Sequence, residues 1–164
     1  MQTIPSVFAS LFRQPGELLI RRWNWKSALY SSLCRSSLFF AINLTAGLDA
    51  AARAMLAEFL YRAVSAGFYG AITQSFRHVQ PRWHGAVAAT LLLVTLSHSI
   101  ELFLHWCRGT PNLWASIFAS CCFTVISTLF NLHAMRRGVL VTGSEGHGLL
   151  TDLKLLPSLL RAER

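Results

Sequence analysis

The chain is 164 residues long, with 53% hydrophobic residues and only 13% Asp, Glu, Lys and Arg, where soluble domains carry about 25% charged residues. That balance excludes a disordered or collagen-like chain, and four cysteines are too few for a disulfide-rich scaffold. A water-soluble single domain would lack the charge to cover its surface, so composition points to an all-α integral membrane protein. The net charge of +8 then needs no nucleic acid, because a charge bias orients membrane helices.

Residues 1–26 read as an N-terminal amphipathic segment made of two pieces, 6–13 and 15–22, divided by Gln14-Pro15-Gly16. It does not read as a cleavable signal peptide, since the apolar window behind it is long and holds Arg35. Its expected place is the inner leaflet surface, with basic residues near anionic headgroups.

Residues 27–137 hold four windows near the ~20 residues that a spanning helix needs: 27–47, 54–76, 84–106 and 113–135. Gly47 is expected to close the first and Asp49 to cap the second. Short links force antiparallel neighbours, which gives an up-down-up-down bundle. With the N-terminus cytoplasmic, eleven Lys and Arg fall inside (Arg13, Arg21, Arg22, Lys26, Arg77, Arg82, Arg136, Arg137, Lys154, Arg161, Arg164) and two outside, Arg53 and Arg108. This bias predicts both termini on the cytoplasmic side of a plasma or inner membrane. Trp23, Trp25, Trp83, Trp106 and Trp114 all fall at window edges, where indole finds both lipid and water.

Residues 138–164 read as a flexible Gly-rich linker, 143–148, followed by a broken amphipathic helix. Leu149, Leu150, Leu153, Leu156, Leu159 and Leu160 share a face opposite Thr151, Lys154, Ser158 and Arg161; Asp152 and Leu155 spoil the pattern and Pro157 interrupts it. This segment is expected to lie on the membrane surface or dock on a partner.

Ionisable residues inside the windows are the chemistry-bearing candidates. His98, Glu101 and His105 stand at i, i+3 and i+7, within about 60° of helix circumference. Glu58 and Arg62 form an i, i+4 pair. At about 1.5 Å of rise per residue, Asn43, Glu58, Arg62, His98 and Glu101 share a layer in the outer half of the bilayer. Three readings compete for this layer: a structural ion-pair cluster, a polar cavity that binds or passes a small ion or metabolite, and a metal centre. In the third, His98, Glu101 and His105, joined by Glu58, would hold zinc or iron. Arg35, near the middle of the first window, is expected to face the bundle as a structural charge near Ser127 or Thr128.

Ala63, Gly67 and Ala71, with Gly70 nearby, make a small-residue face on the second helix that suits an internal contact or a homodimer. Ser116, Ser120, Thr124 and Ser127 suit interhelical hydrogen bonds. Cys34, Cys121 and Cys122 fall inside the windows, and no catalytic glycine loop, nucleophile elbow or His-Glu-x-x-His pair is present. The expected function is non-enzymatic: an accessory subunit or a minimal transport or binding module, without a cofactor. A membrane-embedded metalloenzyme is the alternative. The expected partners are the lipid bilayer and a membrane protein or second copy.

Overall fold

A computed structural model describes residues 2–159. Among the described residues all regular structure is helical, apart from one isolated bridge between Gln2 and Val79. α1 covers Ile4–Arg13 and is followed by a π-helical turn, Gly16–Ile20. The four long helices are α2 (Trp25–Asn43), α3 (Leu48–Ser75), α4 (Arg82–Cys107) and α5 (Leu113–Arg136), and α6 covers Leu149–Leu159. Each apolar window of the sequence thus corresponds to one long helix, although residues 44–47 of the first window lie beyond the end of α2.

Local chemistry sets the helix ends. The Asn24 side chain accepts the Ser27 amide at 3.0 Å, which caps α2. A 3-10 turn, Leu44–Ala46, leads into Gly47, whose φ of 98° lets the chain reverse into α3. Gly47 itself holds the cap position, so Asp49 lies inside the first turn of α3 rather than capping it. There its carboxylate still meets the positive end of the helix dipole.

Neighbouring helices run antiparallel, as the hydrogen bonds between them record. Asn24 N donates to Gly67 O, joining the start of α2 to the second half of α3. Arg62 reaches Glu101 between α3 and α4, Arg136 reaches Arg82 O between α5 and α4, and Asn43 reaches Ser116 between α2 and α5. The result is a bundle with α1 and α6 gathered at the end where α2 and α4 begin.

Burial is inverted relative to a water-soluble bundle. Ser32, Arg35, Glu58, Arg62, His98, Glu101, His105 and Thr124 are buried, while Leu33, Leu56, Leu60, Leu91, Phe103, Phe118 and Ile126 are exposed. α4 and α5 are long and apolar enough to cross a membrane, yet only 28% and 22% of their most apolar stretches are buried within the fold. The core helix of a soluble protein would be mostly buried. Of the five tryptophans, Trp25 and Trp83 are exposed at one end of the bundle, and Trp106 and Trp114 at the other.

Several expectations are corrected here. The small-residue face of α3 is occupied from within: a Cβ at Gly67 would lie 2.1 Å from the Trp23 ring, and one at Gly70 would lie 2.6 Å from Ser27 Cβ. Trp23 is therefore a half-buried packing residue whose indole N–H donates to Val64 O at 3.2 Å. That face is not open to a second copy. The apolar side of α1 packs on the bundle, with Val7 buried against Phe76, Val79 and Leu93, although Phe12 and Ile20 remain exposed.

The Gly-rich stretch is not a free linker. Val139, Leu140, Val141 and Thr142 are buried, Gln74 bonds both the N–H and the C=O of Thr142, and Glu145 pairs with Arg77. α6 continues through Pro157, which sits close enough to its end to remove little of the hydrogen-bond ladder. Its polarity is also reversed: Asp152 is fully buried against Lys26, while Leu150 and Leu153 are exposed. Leu160, Arg161 and Arg164 lie outside the described residues, as do the side chains of Leu156, Ser158 and Leu159.

Candidate functional site

Arg62 is the hub of the buried polar network. One helical turn separates it from Glu58 on α3, and the antiparallel pairing with α4 brings Ser97 and Glu101 to its other side. Its Nε donates to Glu58 Oε1 at 2.6 Å, Nη1 to Ser97 Oγ at 2.6 Å and Nη2 to Glu101 Oε2 at 2.5 Å. Arg62 is 1% exposed and both carboxylates are 0% exposed. A charge this buried is tolerated only when paired and hydrogen-bonded.

The two histidines extend the network in opposite directions. His98 Nδ1 lies 2.5 Å from Glu101 Oε2 and its Nε2 lies 2.8 Å from Thr124 Oγ1 on α5. His105 Nε2 lies 3.2 Å from Glu58 Oε2 and its Nδ1 lies 2.9 Å from Thr110 Oγ1, just beyond α4. An ionised carboxylate only accepts, so His98 Nδ1 and His105 Nε2 are the donors. The Phe39 ring of α2 stacks on His105 with centroids 4.3 Å apart.

Arg35 closes the circuit from α2. It donates to the Ser120 carbonyl at 3.1 Å and to the hydroxyls of Ser120 and Thr124. It therefore faces the bundle as expected, but about one turn away from Ser127 and Thr128. Ser127 bonds only the Thr124 carbonyl within its own helix. Arg35 differs from Arg62 in having no carboxylate partner, and its Nε–H has no hydrogen-bond partner.

Asn43 shares the layer but not this network. Its side chain donates to Ser116 Oγ at 3.1 Å and accepts the Asn112 amide at 3.0 Å, pinning the α2 end to the start of α5. The i, i+3, i+7 stripe is on one face as its spacing requires, yet it does not converge on a point. His98 bonds Glu101 while His105 bonds Glu58, and Arg62 stands between the two carboxylates. Among the described residues no three His, Cys, Asp or Glu side chains come together to hold a metal ion. In this arrangement His98, Glu101 and His105 do not converge as ligands of one ion.

A cavity of about 250 Å³ opens beside the network among α2, α3, α4 and α5, with Arg35 and Arg62 in its wall together with Leu140. A second hollow of about 310 Å³ lies at the opposite end of the bundle beside Arg53, Arg108 and Thr110. Sequence reasoning found the charged members of the network and offered a polar cavity as one reading of their layer, but missed the roles of Ser97 and Thr110. Ser97 is one turn from Glu101 on the same face, which is the signal that was there to read. It also missed the Lys26–Asp152 pair, whose signal was the polar residue that broke the leucine pattern. No known protein family, no characterised protein and no solved structure matches the chain.

Proposed function

We propose that the chain is an integral membrane protein whose helices α2–α5 all span a plasma or inner membrane, with both termini cytoplasmic, and that it is a non-enzymatic module for binding or transporting a small molecule. The observation that carries the membrane reading is the inverted burial: charged and hydroxyl side chains fill the bundle while leucines and phenylalanines cover it. Water rewards the opposite arrangement and lipid rewards this one. α2 and α3 are less apolar than α4 and α5, but the charges inside windows 27–47 and 54–76, Arg35, Glu58 and Arg62, are buried, while Asp49 and Arg53 are exposed in the first two turns of α3, so the midsection they offer to lipid carries no exposed charge. The eleven-to-two division of Lys and Arg supports the orientation. The exposed leucines of α6, with Asp152 turned inward, suit contact with the inner leaflet. The cavity beside Arg35 favours binding or transport over a purely accessory role.

Topology is the test. Alkaline carbonate should leave the protein in the membrane pellet. In intact cells a membrane-impermeant maleimide should label the exposed Cys107, and a Cys107→Ser/Ser144→Cys variant should label only after permeabilisation. Extraction by carbonate refutes the membrane reading. Labelling of Cys107→Ser/Ser144→Cys in intact cells refutes the orientation.

A further inference from the structure

The cavity among the four long helices has a chemistry of its own. Its only charged lining residues are Arg35 and Arg62, and no carboxylate lines it. Arg62 is committed to Glu58, Ser97 and Glu101. Arg35 is not committed in this sense: it is 3% exposed, bonds only neutral oxygens, and its Nε–H is without a partner. A guanidinium offers five donors in a planar fork that matches a carboxylate, and a buried one without an anion is costly. The rest of the wall sets apolar and aromatic side chains, including Tyr30, Tyr69, Leu93, Phe123 and Phe130, among hydroxyl-bearing ones such as Ser27, Thr73 and Thr128.

The mouth also has a position. Cys34 on α2 and Phe130 on α5 line the cavity and are exposed, with Ser31 and Ser127 half-buried beside them. The cavity thus opens sideways between α2 and α5. Towards the terminal segments it is stopped by Leu140, whose carbonyl accepts from Asn24 at 2.9 Å and whose amide donates to Asp152 at 3.1 Å. An opening of this kind in a membrane bundle admits a solute from the lipid phase.

We propose that this cavity binds a small monocarboxylate with an apolar or aromatic body, its carboxylate on Arg35 and its body among the aromatic side chains. The proposal rests on the membrane and binding reading above and names the ligand class of that site. One carboxylate matches the one lining guanidinium that hydrogen-bonds no carboxylate. A volume of about 250 Å³ is just below that of drug-sized pockets and suits a ligand of about ten non-hydrogen atoms.

The probe is radiolabelled benzoate, measured by scintillation proximity on the full-length protein in detergent, with unlabelled benzyl alcohol and benzylamine as competitors of like size and different charge. Saturable binding near one per chain, displaced by benzoate but not by the alcohol or the amine, is the expected result. Ser127→Trp, which fills the half-buried mouth, should abolish binding without lowering the melting temperature. Arg35→Gln should weaken binding about tenfold or more, the value of a charge-assisted bond. Absence of saturable benzoate binding overturns the proposal, and so does full binding by Ser127→Trp. Equal displacement by benzyl alcohol overturns the assignment of the carboxylate to Arg35. Failure of the membrane reading shows separately, as extraction by alkaline carbonate.

Discussion

Removing Asp152 should release the C-terminal segment from the bundle, and the size of the effect follows from its surroundings. Lys26 and Asp152 are each 1% exposed at the side chain and form an ion pair. The Lys26 ammonium spends its remaining protons on Val141 O at 3.0 Å and His147 O at 2.7 Å, and Asp152 also accepts the Leu140 amide. Asp152→Ala leaves a buried ammonium without its anion, which costs about 3–5 kcal/mol. That is roughly a hundredfold or more in the local opening equilibrium, at about 1.4 kcal/mol per tenfold. Hydrogen exchange at the Leu140 and Thr142 amides and proteolysis within residues 143–148 read that equilibrium. Lys26→Met should have a similar effect. The double variant Lys26→Met/Asp152→Leu should recover much of the loss, because a buried pair replaced by apolar groups of like volume is often neutral. Unchanged exchange in Asp152→Ala, or losses that add in the double variant, would refute this reasoning.

Glu101→Gln removes the acceptor charge from Arg62 and His98 and should cost about 1.5–3 kcal/mol in resistance to SDS unfolding. A cost below about 0.5 kcal/mol would show that the network is easily substituted. Gly67→Leu should destabilise the bundle by about 1–3 kcal/mol or more, because its side chain meets the Trp23 ring, and adding Trp23→Ala should restore part of that in a thermal melt. In a glycosylation-mapping assay the isolated α2 segment should insert poorly. Arg35 costs about 2.5–3.5 kcal/mol and the leucines, isoleucine and phenylalanines return about the same, so Arg35→Leu should insert efficiently. The hydrogen bond from Arg77 holds the Glu145 carboxyl below its ordinary value of 4.5. A lowered folded value means the contribution of this pair is complete above that ordinary value and is lost as pH falls through the folded one. Protection of residues 143–148 should therefore weaken in acid, modestly because Glu145 is exposed, and Glu145→Gln should remove the acid dependence.

The helices and the charged members of the network were legible because both follow from periodicity and depth. Four apolar windows match four helices, and once short links set neighbours antiparallel, an i, i+4 pair on one helix and an i, i+3 pair on the next can meet face to face at the same depth. Arg35 was placed on the correct side with the wrong partners. Counting rise from a window midpoint locates a Cα, while the guanidinium ends several bonds away and here binds Ser120 and Thr124. Asp152 was read only as a flaw in the leucine pattern, because the pattern was scored for a leucine face turned to the membrane or a partner and not for a polar face turned to the bundle. Where the buried face of a helix meets Lys26 and the backbone of residues 140–141, the polar residue is the inward one. The stretch 143–148 was misread for a related reason. Glycine content describes what the isolated chain can do, and nothing in composition announces that Arg77 holds Glu145 within the stretch and Gln74 holds Thr142 just before it, each from 68 positions earlier.

The network's contribution to the fold is better argued as rotation than as affinity. Hydrogen bonds between helices in a bilayer couple by only about 0.6 kcal/mol on average. Turning a helix by one residue, about 100°, carries a much larger penalty when that face bears charge, at about 2.5–3.5 kcal/mol for each Arg or carboxylate brought to lipid. α3 carries Glu58 and Arg62, α4 carries Glu101 and two histidines, and α2 carries Arg35, so each of these has one tolerable orientation. Away from its ends α5 contributes hydroxyls and backbone, from Ser116, Ser120 and Thr124, and its charged residue Arg136 stands at its C-terminal end. Its rotation is therefore the least strongly fixed of the four. The mouth of the cavity lies between α5 and α2, at the one seam of the bundle where α5 can yield without exposing a charge of its own to lipid.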